Sequence, residues 1–424
     1  MSKEHWVVVQ YGSRDRYQLP IAVKESESLL ALVTEWYSKY DQSPTKWLDR
    51  LDLSKLHDWL KRRYNPQLPG NLVLDNKIAA VFFMATKKLG VPDTAPNYWL
   101  GRKAGKLATR SGANLLSTSY VGASAFRSYA GAGVKVLLQA HPSPRFLRNL
   151  YTEFISRGGL NERLGVELEM SATEEGLVKW EDEARLADNV IVSSEFSKRS
   201  VESLGISDEY IDTVPYGVDL KMFVPGRQRS GTEPLRIFFL GSKCARKGLH
   251  ILLEAWSRLA PQRASLRIAG GAEIRDGALM DAFPGIGEEL PRLTLPEVIR
   301  EFQEADLFVM PSLAEGFGHV YLEALACGTP ILGTENTAVP DLLKAGDCGF
   351  TTEAGNVDDL ASTLESLLSN PKLVADRRAE ARRVAEQHSW QNFRVRVRRT
   401  LEKAIHQRKS TTRVEPAGVN VSCA

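Results

Sequence analysis

Cysteine is scarce in this chain, and the cysteines that occur are not paired in the sequence. There are four of them, with no C-x-x-C spacing: Cys244, Cys327, Cys348 and Cys423. This pattern excludes a disulfide framework or a cysteine-based zinc site as the organising feature of the fold. We therefore expect a reduced, cytosolic setting.

Long apolar runs are also lacking. No stretch approaches the ~20 apolar residues that a membrane-spanning helix needs. Residues 1–12 pass from a charged start directly into a predicted strand, without the pattern of a signal peptide. We expect a cytoplasmic protein that contacts a membrane at most peripherally, at its inner face.

A strong excess of one charge is missing as well. The formal net charge is +3 over 424 residues, which gives no reason to expect a nucleic-acid partner. Basic residues are concentrated at 102–110 and at 392–413. A solvated helix face is the favoured interpretation of each cluster, and attraction to an acidic membrane surface or acceptor is the minority alternative.

The chain repeats one pattern in its two halves, and its length suits two or three domains. Residues 6–10 predict a buried strand followed by Gly12, and residues 235–240 predict another strand followed by a glycine-bounded turn at 241–248. Between them, residues 224–234 read as a linker. We predict an α/β fold of two Rossmann-like domains that face each other across a cleft, at 1–220 and 235–389.

Other segments give less distinct signals. Residues 28–37 predict a helix, and residues 134–139 predict a buried strand. That strand ends just before His141, so an imidazole stands where α/β folds bind ligands. An ordinary loop histidine is the alternative. Residues 407–424 lack apolar periodicity, and we expect them to be disordered.

Residues 311–330, PSLAEGFGHVYLEALACGTP, combine a strand end, a glycine-rich turn and a short helix. A helix that begins beside Gly316 and Gly318 offers free N–H groups to a phosphate or diphosphate. Glu315 and Glu323 flank this helix start, and carboxylates accept hydrogen bonds from sugar hydroxyls. The alternative is an ordinary strand-turn-helix with solvated glutamates.

Taken whole, E-G-F-G-x-x-x-x-E-A-x-A-x-G-x-P resembles the E-x7-E signature of the retaining nucleotide-sugar glycosyltransferases of family 4, the group 1 glycosyltransferases of GT-B fold. The likeness covers about residues 185–390, with a looser match over 6–148. It implies that 1–220 bind the acceptor and 235–389 the nucleotide-sugar donor. It also implies that a last helix, 390–406, packs back on the first domain.

The resemblance also assigns cations to the donor site. It implies that Lys247 lies near the donor diphosphate and offsets charge on the leaving group. The family often has an arginine where this chain has Ser242, and Arg246, ahead of Lys243, is the better candidate to supply the missing charge.

Carboxylates, amides and a histidine complete the implied site. By resemblance, Glu315 faces the transferred sugar and Glu323 binds the ribose hydroxyls. The amides of the 316–318 turn, from Gly316, Phe317 and Gly318, meet the diphosphate. His141 approaches the sugar, and Gly12 lets acceptor and phosphate come close.

The predicted activity is sugar transfer from a UDP-, GDP- or ADP-sugar to a hydroxyl acceptor, such as a bacterial-type glycan, a glycolipid or a small glycoside precursor. No D-x-D motif follows a strand, so no metal or other cofactor is expected. Retention of configuration is implied by the resemblance alone. A nucleotide-sugar epimerase, a phosphorylase of the same fold and a non-catalytic nucleotide-sugar-binding protein remain alternatives, and a glycoside hydrolase is disfavoured.

Overall fold

The computed structural model describes residues 4–38, 59–77, 80, 94–157, 167–226, 234–260, 264–271 and 283–412. Most of the predicted linker and the end of the predicted tail, residues 227–233 and 413–424, lie outside the described residues.

Two parallel sheets organise the described chain. The first has the strand order β3-β2-β1-β4-β5-β6-β7, and the second has the order β10-β9-β8-β11-β12-β13. Every strand pairing within them is parallel. Buried parallel strands with helical crossovers confirm the predicted α/β class.

The strands of the first sheet are β1 Trp6–Val9, β2 Leu29–Val33, β3 Val73–Leu74, β4 Asn114–Thr118, β5 Lys135–Gln139, β6 Asn189–Val192 and β7 Ile211–Thr213. Those of the second are β8 Leu235–Leu240, β9 Ala264–Ala269, β10 Glu288–Glu289, β11 Leu307–Val309, β12 Ile331–Thr334 and β13 Gly349–Thr352.

The helices of the amino-terminal half are Gln18–Glu25, Thr94–Ser111, Gly122–Arg127, Pro144–Ser156, Leu168–Ser171, Glu174–Leu186 and Glu195–Glu202. Those that follow β8 are Leu249–Leu259, Leu295–Glu304, His319–Ala326, Val339–Ala345, Val357–Ser369, Lys372–Ala375, Arg378–Gln387 and Trp390–Thr412. We call Thr94–Ser111 the basic helix, His319–Ala326 the signature helix and Trp390–Thr412 the last helix.

Two predictions of local structure are wrong. The helix predicted over 28–37 is instead strand β2, Leu29–Val33, which pairs in parallel with β1. A short apolar run of this kind suits either element, and pairing with an existing strand decides between them. Residues 407–412 were expected to be disordered, but the last helix continues to Thr412.

Contacts with the amino-terminal half order the last helix. Phe393, Val397 and Leu401 are buried in the larger hydrophobic cluster. Arg394 pairs with Glu25 at 2.7 Å. Basic side chains further along the helix pair with acids of the same half, namely Arg398 with Glu25, Lys403 with Asp212, Arg408 with Asp188 and Lys409 with Glu4.

The strand order places the ligand-binding edges. Each sheet reverses its direction of winding at one point, between β1 and β4 in the first sheet and between β8 and β11 in the second. Open α/β sheets bind ligands outside the carboxyl ends of the strands at such a point. The turns that follow these four strands are therefore the expected positions of a ligand.

The two sheets meet at the turn before the signature helix. The Gly316 carbonyl accepts hydrogen bonds from the hydroxyls of Ser193 (3.2 Å), Ser194 (2.5 Å) and Ser197 (3.0 Å), which follow β6. A Cβ added at Gly316 would lie 2.6 Å from the Ala140 carbonyl oxygen. Glycine is therefore required for this close approach.

Candidate active site

The turn after β8 lies directly against the segment that follows β11. Gly248 has a left-handed φ of 72°, and a Cβ there would lie 1.9 Å from the Pro311 carbonyl oxygen. The Leu313 N–H donates to the Arg246 carbonyl at 2.8 Å. Because these backbones touch, side chains that are distant in the sequence share one site.

Glu315 is the centre of this site. Its Oε2 accepts hydrogen bonds from Lys247 Nζ and from Arg246 Nη1, the latter at 2.7 Å. Burial alone would raise the pKa of Glu315, but the two cations outweigh it and lower the pKa to about 2. Glu315 is therefore ionised at neutral pH, and the three groups together carry one net positive charge.

Arg246 contacts more than one acid. Its guanidinium Nε lies 3.8 Å from Glu167 Oε2 in addition to its bond with Glu315. Burial opposes its charge, but these carboxylates raise the pKa of Arg246 above its usual value. The Tyr151 hydroxyl lies in the same electrostatic environment and has no hydrogen-bond partner among the described residues.

The signature helix begins at His319, and the residue before it, Gly318, has a φ of 83°. A Cβ at Gly318 would meet the Tyr321 ring at 2.7 Å, and the Tyr321 hydroxyl donates to the Met310 carbonyl at 2.6 Å. Phe317 is buried, and its ring packs against Tyr216. The turn is therefore fixed by packing, and the first N–H groups of the helix have no partner within the helix itself.

Glu323 lies in the signature helix at a half-buried position. Burial raises its pKa, and the neighbouring His319 partly counteracts this effect. Glu323 is thus a second carboxylate near the helix start, without the cation pair that holds Glu315.

His141 belongs to the opposite wall, after β5. Its side chain is accessible to solvent although protein surrounds it closely, as expected for a residue that lines a cleft. Burial, followed by the charge of Arg14, lowers the pKa of His141 to about 4. The imidazole is therefore neutral at neutral pH. Its Cα is 3.4 Å from the position of a Cβ on Gly316, so the two walls are adjacent.

Tyr120 stands beside His141, with ring centroids 6.0 Å apart. It has a φ of 75°, and its N–H donates to Glu183 Oε2 at 2.8 Å. Burial raises the pKa of Glu183 to about 7, although N–H groups of Tyr120, Gly122 and Ala123 favour its ionised form. Glu183 therefore positions the turn that carries Tyr120.

A contact between the two halves involves His319, the first residue of the signature helix. Its Nε2 lies 3.4 Å from Asp15 Oδ1, and its ring packs on Tyr216 with centroids 4.5 Å apart. Burial would lower the pKa of His319, but the bond to Asp15 raises it. Asp15 has a φ of 50°, uncommon for a residue with a Cβ.

Three other residues considered for the site, Gly12, Ser242 and Lys243, contact groups other than Glu315. The Gly12 N–H donates to Glu35 Oε2 at 2.8 Å, so this amide is already engaged. Ser242 Oγ lies 3.4 Å from Cys244 Sγ. Lys243 is buried and pairs with Glu289, away from Glu315, whereas Arg246 reaches Glu315 directly.

The structure thus brings together Glu315, Arg246, Lys247 and, across the cleft, His141. Sequence reasoning did not select Asp15, Tyr120, Glu183 or His319. His319 and Asp15 were detectable, because one stands inside the signature and the other follows β1. Glu183 gave no local signal, since its role depends on a helix start about 60 residues away.

In the part of the chain that the structure describes, no group of three His, Cys, Asp or Glu side chains is placed to hold a metal ion. None of the helices there combines the length and apolarity needed to cross a bilayer.

Comparison with known folds first defines the class. Sucrose-phosphate synthase from Thermosynechococcus elongatus superimposes with a TM-score of 0.61 at 15% identity, covering 97% of this chain and 98% of that one. Anabaena HepE, solved in complex with UDP-glucose, gives a TM-score of 0.60 at 15% identity over 94% and 99% of the two chains. The chain has the GT-B fold, with two Rossmann-like domains, as predicted.

Comparison of sequences then identifies a family likeness in part of the chain. Residues 234–370 match the family model of the group 1 glycosyl transferases, so this part of the chain confirms the resemblance inferred from the signature. D-inositol 3-phosphate glycosyltransferase of Mycobacterium sp. (strain JLS) is 32% identical over 220 residues, 48% of each chain. The corresponding enzyme of Pseudarthrobacter chlorophenolicus is 31% identical over 224 residues, 49% of this chain and 53% of its own. The matches therefore span about half the length of these relatives.

Proposed function

We propose that this protein transfers a sugar from a nucleoside-diphosphate sugar to a hydroxyl acceptor, with retention of configuration and without a metal. The observation that carries the proposal is the half-buried Glu315, held by Lys247 and Arg246 beside the start of the signature helix. Both the fold and the matched family support a transferase at this position.

The donor diphosphate would lie at the start of the signature helix. There the helix N–H groups and the cations of Lys247 and Arg246 would stabilise the departing nucleoside diphosphate. Glu323, with its raised pKa and no cation pair, would accept hydrogen bonds from the ribose hydroxyls. Glu315 would accept hydrogen bonds from hydroxyls of the transferred sugar.

The acceptor side would use neutral groups. His141 is uncharged near pH 7, so it can exchange hydrogen bonds with the sugar without repelling the oxocarbenium charge that develops on it. The departing phosphate would take the proton of the acceptor hydroxyl, and the sugar would be delivered on the face from which the phosphate leaves.

The positive groups would do what a metal does in other transferases. Lys247 and Arg246 are fixed by hydrogen bonds before the substrate arrives, so they need no reorganisation as charge builds on the leaving group. We therefore propose that transfer is unaffected by removal of divalent ions.

The names of related proteins suggest which substrates to test. HepE was solved with UDP-glucose, which makes a UDP-sugar the first donor to try. The curated relatives are named for D-inositol 3-phosphate, which suggests a phosphorylated polyol as one acceptor class. A second acceptor class is a molecule at a membrane surface, because the basic residues at 102–110 are largely exposed.

The first experiment measures thermal unfolding with UDP, GDP or ADP, with and without EDTA. A nucleotide at 100 times its dissociation constant adds ~2.7 kcal/mol of stability. We expect one nucleotide to stabilise the protein clearly more than the others, equally in EDTA. Equal stabilisation by all three, or by none, would contradict a specific donor site.

The second experiment supplies the corresponding nucleotide sugar and a panel of acceptors, and follows the anomeric proton of the product by NMR. Transfer with retained configuration in EDTA supports the proposal. Conversion of the donor to another nucleotide sugar would indicate an epimerase, transfer to or from inorganic phosphate a phosphorylase, and binding without turnover a non-catalytic protein.

A further inference from the structure

The basic helix, Thr94–Ser111, carries charge of only one sign. It has four cations, Arg102, Lys103, Lys106 and Arg110, and no acidic residue. In the described part of the chain no carboxylate forms a salt bridge with any of the four. The Arg102 guanidinium lies over the Tyr98 ring, 5.5 Å from its centroid, and Nη1 donates to the Tyr98 hydroxyl at 3.1 Å.

Two aromatic side chains are exposed on the same helix. Trp99 is 62% exposed and Tyr98 is 48% exposed. The opposite face, with Leu100, Ala104 and Ala108, packs into the hydrophobic core of the first sheet. Exposed aromatic rings beside lysine and arginine on one helix face are typical of a helix that lies in a membrane interface.

The position of the helix relates this face to the candidate active site. The helix precedes β4, so it begins near the edge of the sheet where the strands end. Ser124, four residues after Tyr120, donates to the Asn97 carbonyl at 3.3 Å. The aromatic end of the helix is therefore on the same side of the domain as Tyr120 and His141.

The last helix is the comparison, because its basic residues form ion pairs that stabilise the fold. Five of them pair with acids of the amino-terminal half: Arg394, Arg398, Lys403, Arg408 and Lys409. Within the described ranges, the cations of the basic helix have no such pairs, so their charge can attract an anionic partner. An anionic membrane surface interacts with both kinds of side chain, because aromatic rings lie at the level of the headgroups and cations are attracted to anionic lipids.

We propose that the basic helix docks this protein on a membrane that contains anionic phospholipid, with Trp99 and Tyr98 at the level of the headgroups. Docking by itself does not depend on transferase activity. Its consequence, that an acceptor at the membrane surface faces the His141 wall of the cleft, rests on the function proposed above.

Co-sedimentation tests the proposal with the full chain. The probes are vesicles of phosphatidylcholine alone and of phosphatidylcholine with phosphatidylglycerol. We expect binding only to the anionic vesicles, weakening as salt rises. The double substitution Lys103→Gln/Lys106→Gln should weaken binding roughly 25-fold, at about fivefold per charge. Tyr98→Ala/Trp99→Ala should weaken it at high salt as well, because it removes the apolar contact.

The matched control is Lys61→Gln/Arg62→Gln, which removes two exposed positive charges elsewhere in the same half. It should bind like the unsubstituted protein. Each variant is also melted with and without the stabilising nucleotide, so that loss of folding or of the donor site is seen separately from loss of docking.

Three results would overturn the docking proposal. They are absence of binding to anionic vesicles at low salt, equal weakening by the control pair, and binding to a soluble polyanion such as dextran sulfate without binding to vesicles. A protein that docks but transfers no sugar would leave docking intact and remove the proposed function instead.

Discussion

The two walls of the cleft differ in how their polar groups are held. On the donor side, Glu315 is ionised, with a pKa of about 2, and two cations compensate it. On the opposite side, His141 is neutral, with a pKa of about 4, and Tyr120 is a phenol, neutral at pH 7, whose pKa partial burial raises further. The site thus places fixed charge around Glu315, suited to a diphosphate, opposite two neutral hydrogen-bonding groups, suited to a sugar, with the charge of Arg14 near His141.

Removal of the charge on Glu315 should have the largest effect. Glu315→Gln keeps the side-chain size but leaves Lys247 and Arg246 without their carboxylate. We expect transfer to fall on the order of a thousandfold, while the nucleotide binds at least as tightly, because the site becomes more positive. Steady-state kinetics and nucleotide titration measure the two quantities.

A surface glutamate is the control for that change. Glu365 is exposed on the helix Val357–Ser369, so Glu365→Gln makes the same chemical change at a residue that does not contact Glu315 or its cations. It should leave transfer unaltered. Unchanged turnover in Glu315→Gln would remove Glu315 from the mechanism.

Loss of a cation should have the next largest effect on transfer. In contrast to Glu315→Gln, it should weaken nucleotide binding. Lys247→Ala should lower kcat/KM by a factor of about 10² to 10³ and weaken nucleotide binding, because one of the two cations is lost. Lys243→Met is the comparison, since Lys243 pairs with Glu289 outside this cluster. If both variants lose activity to the same extent, the assignment of Lys247 rather than Lys243 is wrong.

The contact between the walls can be disturbed without a change in charge. Gly316→Ala places a Cβ 2.6 Å from the Ala140 carbonyl oxygen and should push the walls apart. We expect kcat/KM to fall by roughly 10², with a smaller change in nucleotide affinity. Gly271→Ala is the control, because a Cβ there meets nothing within 4 Å. Full activity in Gly316→Ala would show that this close approach is not needed for transfer.

Glu183, which positions the turn of Tyr120, allows a test of how the free energy of unfolding depends on pH. Burial raises its pKa to about 7 from 4.5, so its contribution to stability is present below pH 4.5 and is lost as the pH rises through 7. The free energy of unfolding of the unsubstituted protein should fall by about 3 kcal/mol relative to Glu183→Gln over this interval. Denaturant unfolding of both at several pH values measures the difference. The exposed Glu175→Gln should not reproduce it.

The smallest expected effect concerns His141. Because its pKa is lowered to about 4, it should remain neutral through the physiological range, and kcat/KM should show no ionisation from this group between about pH 6 and 8. If kcat/KM falls below about pH 6.5, and this fall disappears in His141→Asn, the prediction that His141 is neutral is wrong.

Elements with a strong local pattern were predicted well from the sequence. The strand at 235–240, the helix at 249–259 and the helix that begins at residue 319 all appear where they were expected. Strand β2 was not predicted, because Leu29–Val33 suits a helix or a strand equally until β1 offers it a partner. Packing against the amino-terminal half likewise extended the last helix to Thr412.

The sequence by itself determined which chemical groups the signature contains. Glycines stand where the backbone is left-handed or crowded, a helix begins after them, and glutamates lie on either side. These are local demands, readable over about 20 residues. The tertiary structure alone decided that Arg246 and Lys247, which lie 69 and 68 residues before Glu315, compensate it, and that His141 is neutral. The physical reason is that ionisation depends on burial and on neighbouring charges, which only the folded chain brings together.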